Sequence, residues 1–175
     1  MAEARILLLR GVNVGGRGRL TMAALRDALV AEGARDVATY LQSGNAVFHG
    51  NAGARRIAAT LAARTEVSPA VMVLCRSAFE AIVAACPFDA AAAPRQHHVA
   101  FLAARPEATA GLDRLAEPDE RWQAGDKAIY LHCPSGAGRS KLVAGLERAL
   151  GVGTTLRNWG TVAALARMAR EMDGT

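Results

Sequence analysis

The apolar residues of this 175-residue chain change their spacing along the sequence, and each spacing predicts a type of element. Four consecutive apolar residues, 6–9, are typical of a strand that is buried on both faces. Apolar positions three or four residues apart then predict a helix over 22–32, with Thr21 as its N-cap and Gly33 past its end. The chain therefore opens with a buried strand, a polar loop and an amphipathic helix.

The rest of the first half predicts a hairpin, a second helix and a further strand. Alternating residues over 37–42 and an apolar run over 46–48 flank a turn at Ser43 and Gly44, which indicates a β-hairpin. A helix over 54–65 and a strand over 70–75 follow, and Ser77 with Glu80 has capping-box spacing for one more helix. The order β-α-β-β-α-β is the ferredoxin-like plan.

The second half repeats this order of signals without sequence identity to the first. Its predicted elements are a strand over 97–103, a helix from Pro106 that carries Leu112 and Leu115, strands over 121–124 and 127–133, a helix that ends at Gly151, a strand over 154–157 and a last helix capped by Thr161. We therefore expect an α+β protein with two ferredoxin-like (α/β-plait, βαββαβ) halves, antiparallel strands and helices on one face of each sheet. The expected boundaries are 1–86 for the first half, 87–96 for a linker and 97–175 for the second half.

Composition and charge exclude several classes of protein. Hydrophobic residues make up 51% and charged residues 21% of the chain, which is ordinary for a globular protein. The net charge of +5 favours an anionic partner, but no run of Lys or Arg indicates a nucleic-acid-binding tail. No apolar run has the length of a signal peptide or a membrane span, so we expect a soluble, cytoplasmic protein.

The residues that most often hold metals or act as nucleophiles do not form a site in this sequence. The three cysteines are odd in number and far apart, which argues against disulfides and zinc. His97 and His98 are neighbours in a strand and point to opposite faces, while His49 stands alone. Ser43 lacks the G-x-S-x-G context of a hydrolase. We predict no metal site, and the sequence names no cofactor and no catalytic residue.

The unusual residues of the first half fall at one predicted end of its sheet. In this plan the loop that follows the first strand lies beside the tip of the hairpin. A glycine-rich loop between arginines and before a helix offers N–H groups to an oxyanion, although a long turn has the same pattern. The candidates are Arg10, Gly11, Asn13, Gly15, Gly16, Arg17 and Arg19 in the loop, with Gln42, Ser43, Gly44 and Asn45 in the hairpin.

The second half places two further groups of unusual residues at one end of its predicted sheet. Residues 136–141 resemble a phosphate-binding loop but lack its G-K-[ST] order, so they suit an anion at a helix N-terminus or a solvated helix start. Trp159 either stacks on a base or sugar or fills a gap between helix and sheet. The candidates are Ser135, Gly138, Arg139, Ser140 and Lys141, with Arg157, Asn158 and Trp159.

Four motifs in the chain resemble those of one bacterial family, the domain of unknown function 1697 family. The motifs are LLLRGVNVGG at 7–16, TYLQSGNAVF at 39–48, IYLHCPSGAGRSKL at 129–142 and RNWGTV at 157–162. The resemblance implies two α/β-plait-like halves in one polypeptide, and its signature residues coincide with the candidates above. It implies no reaction.

Three functions fit these patterns, and the sequence favours them in a definite order. First is the binding of a small anionic ligand, phosphorylated or nucleotide-like, at one site that both groups of candidates share. Second is an RNA-binding module, since Phe48, Phe101 and Tyr130 fall on central strands, although core packing explains these rings more simply. Third is a protein-interaction scaffold. These sequence patterns do not determine whether the protein is an enzyme, and they do not determine its oligomeric state.

Overall fold

Eight strands form two antiparallel four-stranded sheets in residues 3–13 and 19–174, which are the residues that the computed structural model describes. Contacts divide the chain into a first unit, residues 1–80 with 164–175, and a second unit, residues 81–163. Helices connect the strands in both units. The protein therefore belongs to the α+β class, as the sequence predicts.

The first unit contains the sheet with the strand order β2-β3-β1-β4. Every neighbouring pair in this sheet is antiparallel, and the chain visits strands and helices in the predicted order β-α-β-β-α-β. The elements are β1 (Arg5–Arg10), α1 (Met22–Ala31), β2 (Arg35–Tyr40), β3 (Asn45–His49), α2 (Ala54–Arg64), β4 (Ala70–Cys75) and α3 (Arg76–Ala84), whose last residues lie in the second unit.

The core of the first unit is built on β1. Leu7 and Leu9 belong to one cluster of buried residues with Phe48 of β3 and with apolar residues of α1 and α2. Ile6 and Leu8 alternate with Leu7 and Leu9, so their side chains lie on the opposite face of the sheet, and they are also fully buried. The prediction that this strand is buried on both faces is therefore confirmed.

The second unit contains the sheet with the strand order β6-β7-β5-β8, again with antiparallel neighbours. Its core cluster joins β5 and β7 to α4 through leucines spaced along that helix. The elements are β5 (His97–Leu102), β6 (Arg121–Ala124), β7 (Ala128–His132), α4 (Lys141–Leu150), β8 (Thr154–Asn158) and α5 (Trp159–Asp173), of which residues 164–173 lie in the first unit.

The helix predicted from Pro106 is wrong. Between β5 and β6 the structure has only a three-residue 3₁₀ turn, Ala110–Leu112. Leu112 is fully buried, and the side chain of Leu115 lies so close to Gly145 of α4 that a Cβ there would come within 2.6 Å of it. Both leucines thus reach the core from a short connection, and their helical spacing does not require a helix.

Two helices begin differently from the prediction. The capping box at Ser77 does not form, because Glu3 accepts the Ser77 N–H at 2.8 Å and the Ser77 hydroxyl at 3.0 Å. α5 begins at Trp159, and the Asn158 Oδ1 atom accepts the Thr161 N–H at 2.9 Å. Thr161 therefore lies inside the first turn, and Asn158 caps the helix.

The predicted domain boundaries, 1–86, 87–96 and 97–175, stay a prediction. Residues 87–96 contain neither helix nor strand. The two compact units change over within α3, and residues 164–175 return to the first unit. The apolar residues of α5 keep the same helical spacing along the whole helix. The sequence therefore does not indicate that its second part belongs to the first unit.

Replacing Gly44 by alanine will destabilise the first unit more than the same change at Gly33. Both residues have positive φ, which costs an L-residue about 1–2 kcal/mol. A Cβ at Gly44 would also come within 2.7 Å of the Leu9 Cβ, whereas at Gly33 nothing lies within 4 Å. We expect Gly44→Ala to lower the free energy of unfolding in urea by a further ~1–3 kcal/mol. Equal losses in the two variants would contradict this expectation.

Candidate functional site

The loop that follows β1 and the β2–β3 hairpin meet at one end of the first sheet. The Leu9 N–H donates to the Gly44 carbonyl at 2.8 Å. Inside the hairpin, the buried Asn45 side chain donates to the Tyr40 carbonyl at 3.0 Å and to the Ser43 hydroxyl at 2.9 Å. The structure thus brings the described candidates at the end of β1 next to those of the hairpin, and Asn45 holds the shape of the turn.

Asn13 closes the base of the glycine-rich loop. Its Oδ1 atom accepts the Leu20 N–H at 2.9 Å, and its Nδ2 atom donates to the carbonyls of Leu20 at 2.8 Å and Gln42 at 2.6 Å. Asn13 has a φ of 54°, a left-handed conformation that asparagine tolerates better than most residues. We call this set of three hydrogen bonds the Asn13 clamp. It joins both ends of the loop to the hairpin.

The exposed candidates of the first unit lie next in sequence, or nearly so, to the residues of the Asn13 clamp. Arg10 and Gly11 precede Asn13 and Arg19 precedes Leu20, and all three are exposed. Gln42 and Ser43 are exposed in the hairpin. The candidates Gly15, Gly16 and Arg17 lie outside the described residues.

In the second unit, the candidates at the start of α4 make contacts within the protein. The buried Ser140 caps α4, since its hydroxyl accepts the Val143 N–H at 3.1 Å. The Lys141 Nζ atom lies 2.8 Å from a Glu117 carboxylate oxygen, and this hydrogen bond raises the pKa of Lys141. Gly138 and Arg139 are exposed in a 3₁₀ turn just before the helix.

The candidates at the end of β8 lie at the same sheet end as the exit of β7. Asn158 is opposite His98, and His132, the last residue of β7, is opposite His97. The Arg157 guanidinium donates to the Leu156 carbonyl at 2.8 Å, and burial lowers the pKa of Arg157 to about 10, so it stays charged at neutral pH. The residue as a whole is partly exposed.

Trp159 is partly exposed at the first position of α5. Asn158 is exposed and caps that helix through the N–H of Thr161. Ser135 is exposed and donates from its hydroxyl to the Asp119 carboxylate at 3.3 Å. Several of the second-unit candidates therefore have structural roles that their polar chemistry alone does not reveal.

The three aromatic rings that suggested RNA binding are core residues. Phe48 and Phe101 are fully buried, and Tyr130 is 2% exposed. The Tyr130 hydroxyl donates to the Ile82 carbonyl at 2.7 Å, and burial raises the pKa of Tyr130 to about 12. Rings packed in this way do not offer a face on which bases stack.

Sequence reasoning missed two histidine arrangements that depend on strand pairing. The His97 and His132 rings, on neighbouring strands, are stacked with centroids 4.6 Å apart. His49 lies between the carboxylates of Asp36 and Asp173, and the second of these is 124 residues away in sequence. No local pattern links such partners. Within residues 3–13 and 19–174, no three His, Cys, Asp or Glu side chains are grouped as metal ligands would be.

Comparisons with known proteins identify a family and a fold. Residues 2–130 match the sequence model of a family described as protein of unknown function (DUF1697). The structure of the conserved bacterial protein SP0830 from Streptococcus pneumoniae is similar, with a TM-score of 0.74 and 22% identity over 97% of this chain and 99% of that one. At this identity the likeness shows the fold alone. No curated protein matches the chain, and none of the described helices has the length and apolar character needed to cross a membrane.

Replacing Asn13 by aspartate will loosen the glycine-rich loop. The carboxylate still accepts the Leu20 N–H, but it places an oxygen opposite the carbonyls of Leu20 and Gln42 in place of a donor. We expect Asn13→Asp to lower the free energy of unfolding by ~1–3 kcal/mol. The matched control is Asn51→Asp, which keeps the acceptor for Arg5 and is exposed, and should change stability by less than about 0.5 kcal/mol. Equal stability of Asn13→Asp and the wild type in urea unfolding would show that the clamp contributes nothing.

Proposed function

Because the chain belongs to the DUF1697 family of proteins of unknown function, we propose its function from geometry: it binds a small anionic ligand, phosphorylated or nucleotide-like, where the β1 exit loop meets the β2–β3 hairpin. The observation that carries this proposal is the Asn13 clamp, which closes a loop rich in glycine and arginine and fixes it to a second polar segment. Loops of this composition offer backbone N–H groups and cations to anions.

The Asn13 clamp supports binding because it fixes the two residues between which the loop runs, Asn13 and Leu20. Val12 and Leu20, which flank the loop, are buried and anchor it to the core. A loop that is already closed at its base loses less conformational entropy when a ligand arrives. The helix that follows begins at Met22, and its N-terminal end contributes a favourable electrostatic field for a negative charge.

The first-unit candidates divide into residues that hold the surface and residues that would contact the ligand. Asn13 and Asn45 hold it through their side-chain amides, and the Ser43 hydroxyl accepts from Asn45. Arg10 and Arg19 are exposed cations on either side of the loop, and guanidinium groups suit phosphate oxygens. The exposed Gln42 carries a donor and an acceptor for the polar edge of a nucleotide-like ligand.

The second-unit candidates stay a prediction that this proposal does not require. Ser140 and Asn158 cap helices, and Lys141 is paired with Glu117. A surface of Gly138, Arg139 and Arg157 would add a second basic region. RNA binding is less favoured, because the three rings that suggested it are buried.

Thermal unfolding in the presence of phosphorylated probes will test the proposal. We expect a nucleotide or a sugar phosphate at a hundredfold excess over its Kd to raise the Tm by about 5–10 °C. The panel should contain inorganic pyrophosphate, nucleoside phosphates and sugar phosphates, with a single-stranded RNA as a separate arm. A Tm that no phosphorylated compound raises contradicts the proposal, and tight, salt-dependent RNA binding would replace it with the second hypothesis.

Arginine substitutions will locate the ligand on the first unit. We expect Arg19→Ala to weaken binding of the phosphorylated probe about tenfold or more, because a charge-assisted hydrogen bond contributes about 1.5–3 kcal/mol. Arg148→Ala is the matched control, since Arg148 is an exposed arginine in the last turn of α4. Calorimetry of the variants would measure both Kd values. Equal losses in the two variants would indicate non-specific attraction by the net charge.

A further inference from the structure

His49 at the end of β3 lies between two carboxylates. Its Nδ1 atom is 2.9 Å from the Asp36 Oδ2 atom, and its Nε2 atom is 3.0 Å from the Asp173 Oδ1 atom. The side chain of Asp36 is 66% exposed, whereas those of His49 and Asp173 are 17% and 15% exposed. The histidine therefore connects a surface carboxylate of β2 to a shielded carboxylate near the end of α5.

Asp173 also contacts two further parts of the first unit. Its Oδ1 atom also accepts the Ala4 N–H at 2.8 Å, next to β1. Its Oδ2 atom lies 2.8 Å from the Arg76 Nε atom of α3. Neither of these two atoms has a hydrogen-bond partner among the described residues, so this contact is an ion pair without hydrogen-bond alignment. Asp173 thus attaches the last turn of α5 to β3, to α3 and to the segment before β1.

The backbone of β2 is bent to present Asp36. The pairing of β2 with β3 shifts its register between Arg35 and Ala38, and Asp36 has a φ of 54°. A left-handed conformation at a non-glycine residue costs about 1–2 kcal/mol, and bulges commonly redirect a side chain. Backbone strain often occurs at functional residues, so the strain at Asp36 is a reason to expect a function for the contact between Asp36 and His49.

The geometry requires a charged histidine. An ionised carboxylate only accepts hydrogen bonds, and neutral imidazole has a single N–H. Both ring nitrogens of His49 donate only when the ring is protonated. Hydrogen bonds to Asp36 and then to Asp173 raise the pKa of His49 above its usual value. Burial acts to raise the pKa of Asp173, but His49, Ala4 and Arg76 together lower it.

The other charges around His49 oppose its protonation or are paired elsewhere. Arg35 lies opposite His49 in the register of β2 and β3, and Arg5 of β1 lies opposite Phe48. On α5, Arg170 is 3.3 Å from Glu80 of α3, and Arg167 pairs with Glu171 along the helix. The two carboxylates on His49 outweigh the effect of its burial, and the net change in its pKa is upward.

We propose that His49 is a proton-operated latch for the end of α5: the protonated ring bridges Asp36 and Asp173 and holds the last turn of the helix, and loss of the proton loosens it. The folded state binds the proton more tightly than the unfolded state does. The stabilisation is therefore complete below the unfolded pKa of about 6.5 and is lost as pH rises through the raised folded value. The end of α5 becomes mobile on the alkaline side.

Hydrogen exchange of the α5 amides in residues 164–173 will test the latch. After correction for intrinsic exchange, we expect their protection to fall between about pH 6 and 9 by about tenfold for each unit by which the pKa of His49 is raised. In His49→Gln the protection should be low and independent of pH in this range. His132→Gln is the control, because His132 lies in β7 of the second unit and should keep the wild-type profile. Protection that does not change with pH in the wild type overturns the proposal.

Asp36→Asn keeps the test decisive if His49→Gln fails to fold. Asn tolerates the left-handed conformation as well as Asp, and the side chain is exposed, so the fold is retained. The variant removes one anionic acceptor and leaves Asp173 in place. We expect the pKa of His49, followed by nuclear magnetic resonance of its ring, and the midpoint of the α5 exchange profile to fall together. If either moves without the other, the latch is excluded.

Discussion

The first unit depends on the burial of β1 on both of its faces. Leu7 and Leu9 pack among the side chains of α1 and α2, and Ile6 and Leu8 are shielded just as completely. β1 also pairs with β3 on one side and β4 on the other. A strand in this position admits no polar side chain along its apolar run, so the polar chemistry of the segment begins where the strand ends, at Arg10.

Beyond the end of β1, hydrogen bonds from side-chain amides, rather than apolar packing, hold the backbone in place. Asn13 joins the two ends of the loop to the hairpin, and Asn45 fixes the turn of that hairpin. Each amide both donates and accepts, which lets one residue satisfy several backbone groups of an irregular segment. The exposed arginines near the Asn13 clamp are thus carried on a base that is already ordered. The polar residues of the sequence motifs therefore divide into two kinds. Some hold the backbone in shape through hydrogen bonds, and others are exposed to solvent.

Polar contacts of long sequence separation attach Glu3 and Asp173 to distant parts of the first unit. Glu3 caps α3 through Ser77, 74 residues away, and Asp173 meets Ala4 and His49. Polar contacts that are shielded from solvent, as those of Asp173 are, are stronger than ion pairs on the exposed surface. They also respond to protonation, as apolar packing does not, so the first unit combines a core that is insensitive to pH with attachments that are sensitive to it.

The sequence by itself determined the elements whose causes are local. Apolar periodicity and caps are sufficient for β4 at Ala70–Cys75, for β6 at Arg121–Ala124 and for the end of α4 before Gly151. Only the tertiary structure decided that Leu112 and Leu115 reach the core without a helix, and that His49 has two carboxylate partners. Periodicity records which side of the backbone is apolar, whereas a side chain's partner depends on which distant segments pack beside it. The order of the elements, apart from the helix expected from Pro106, therefore followed from the sequence, and the roles of its polar residues did not.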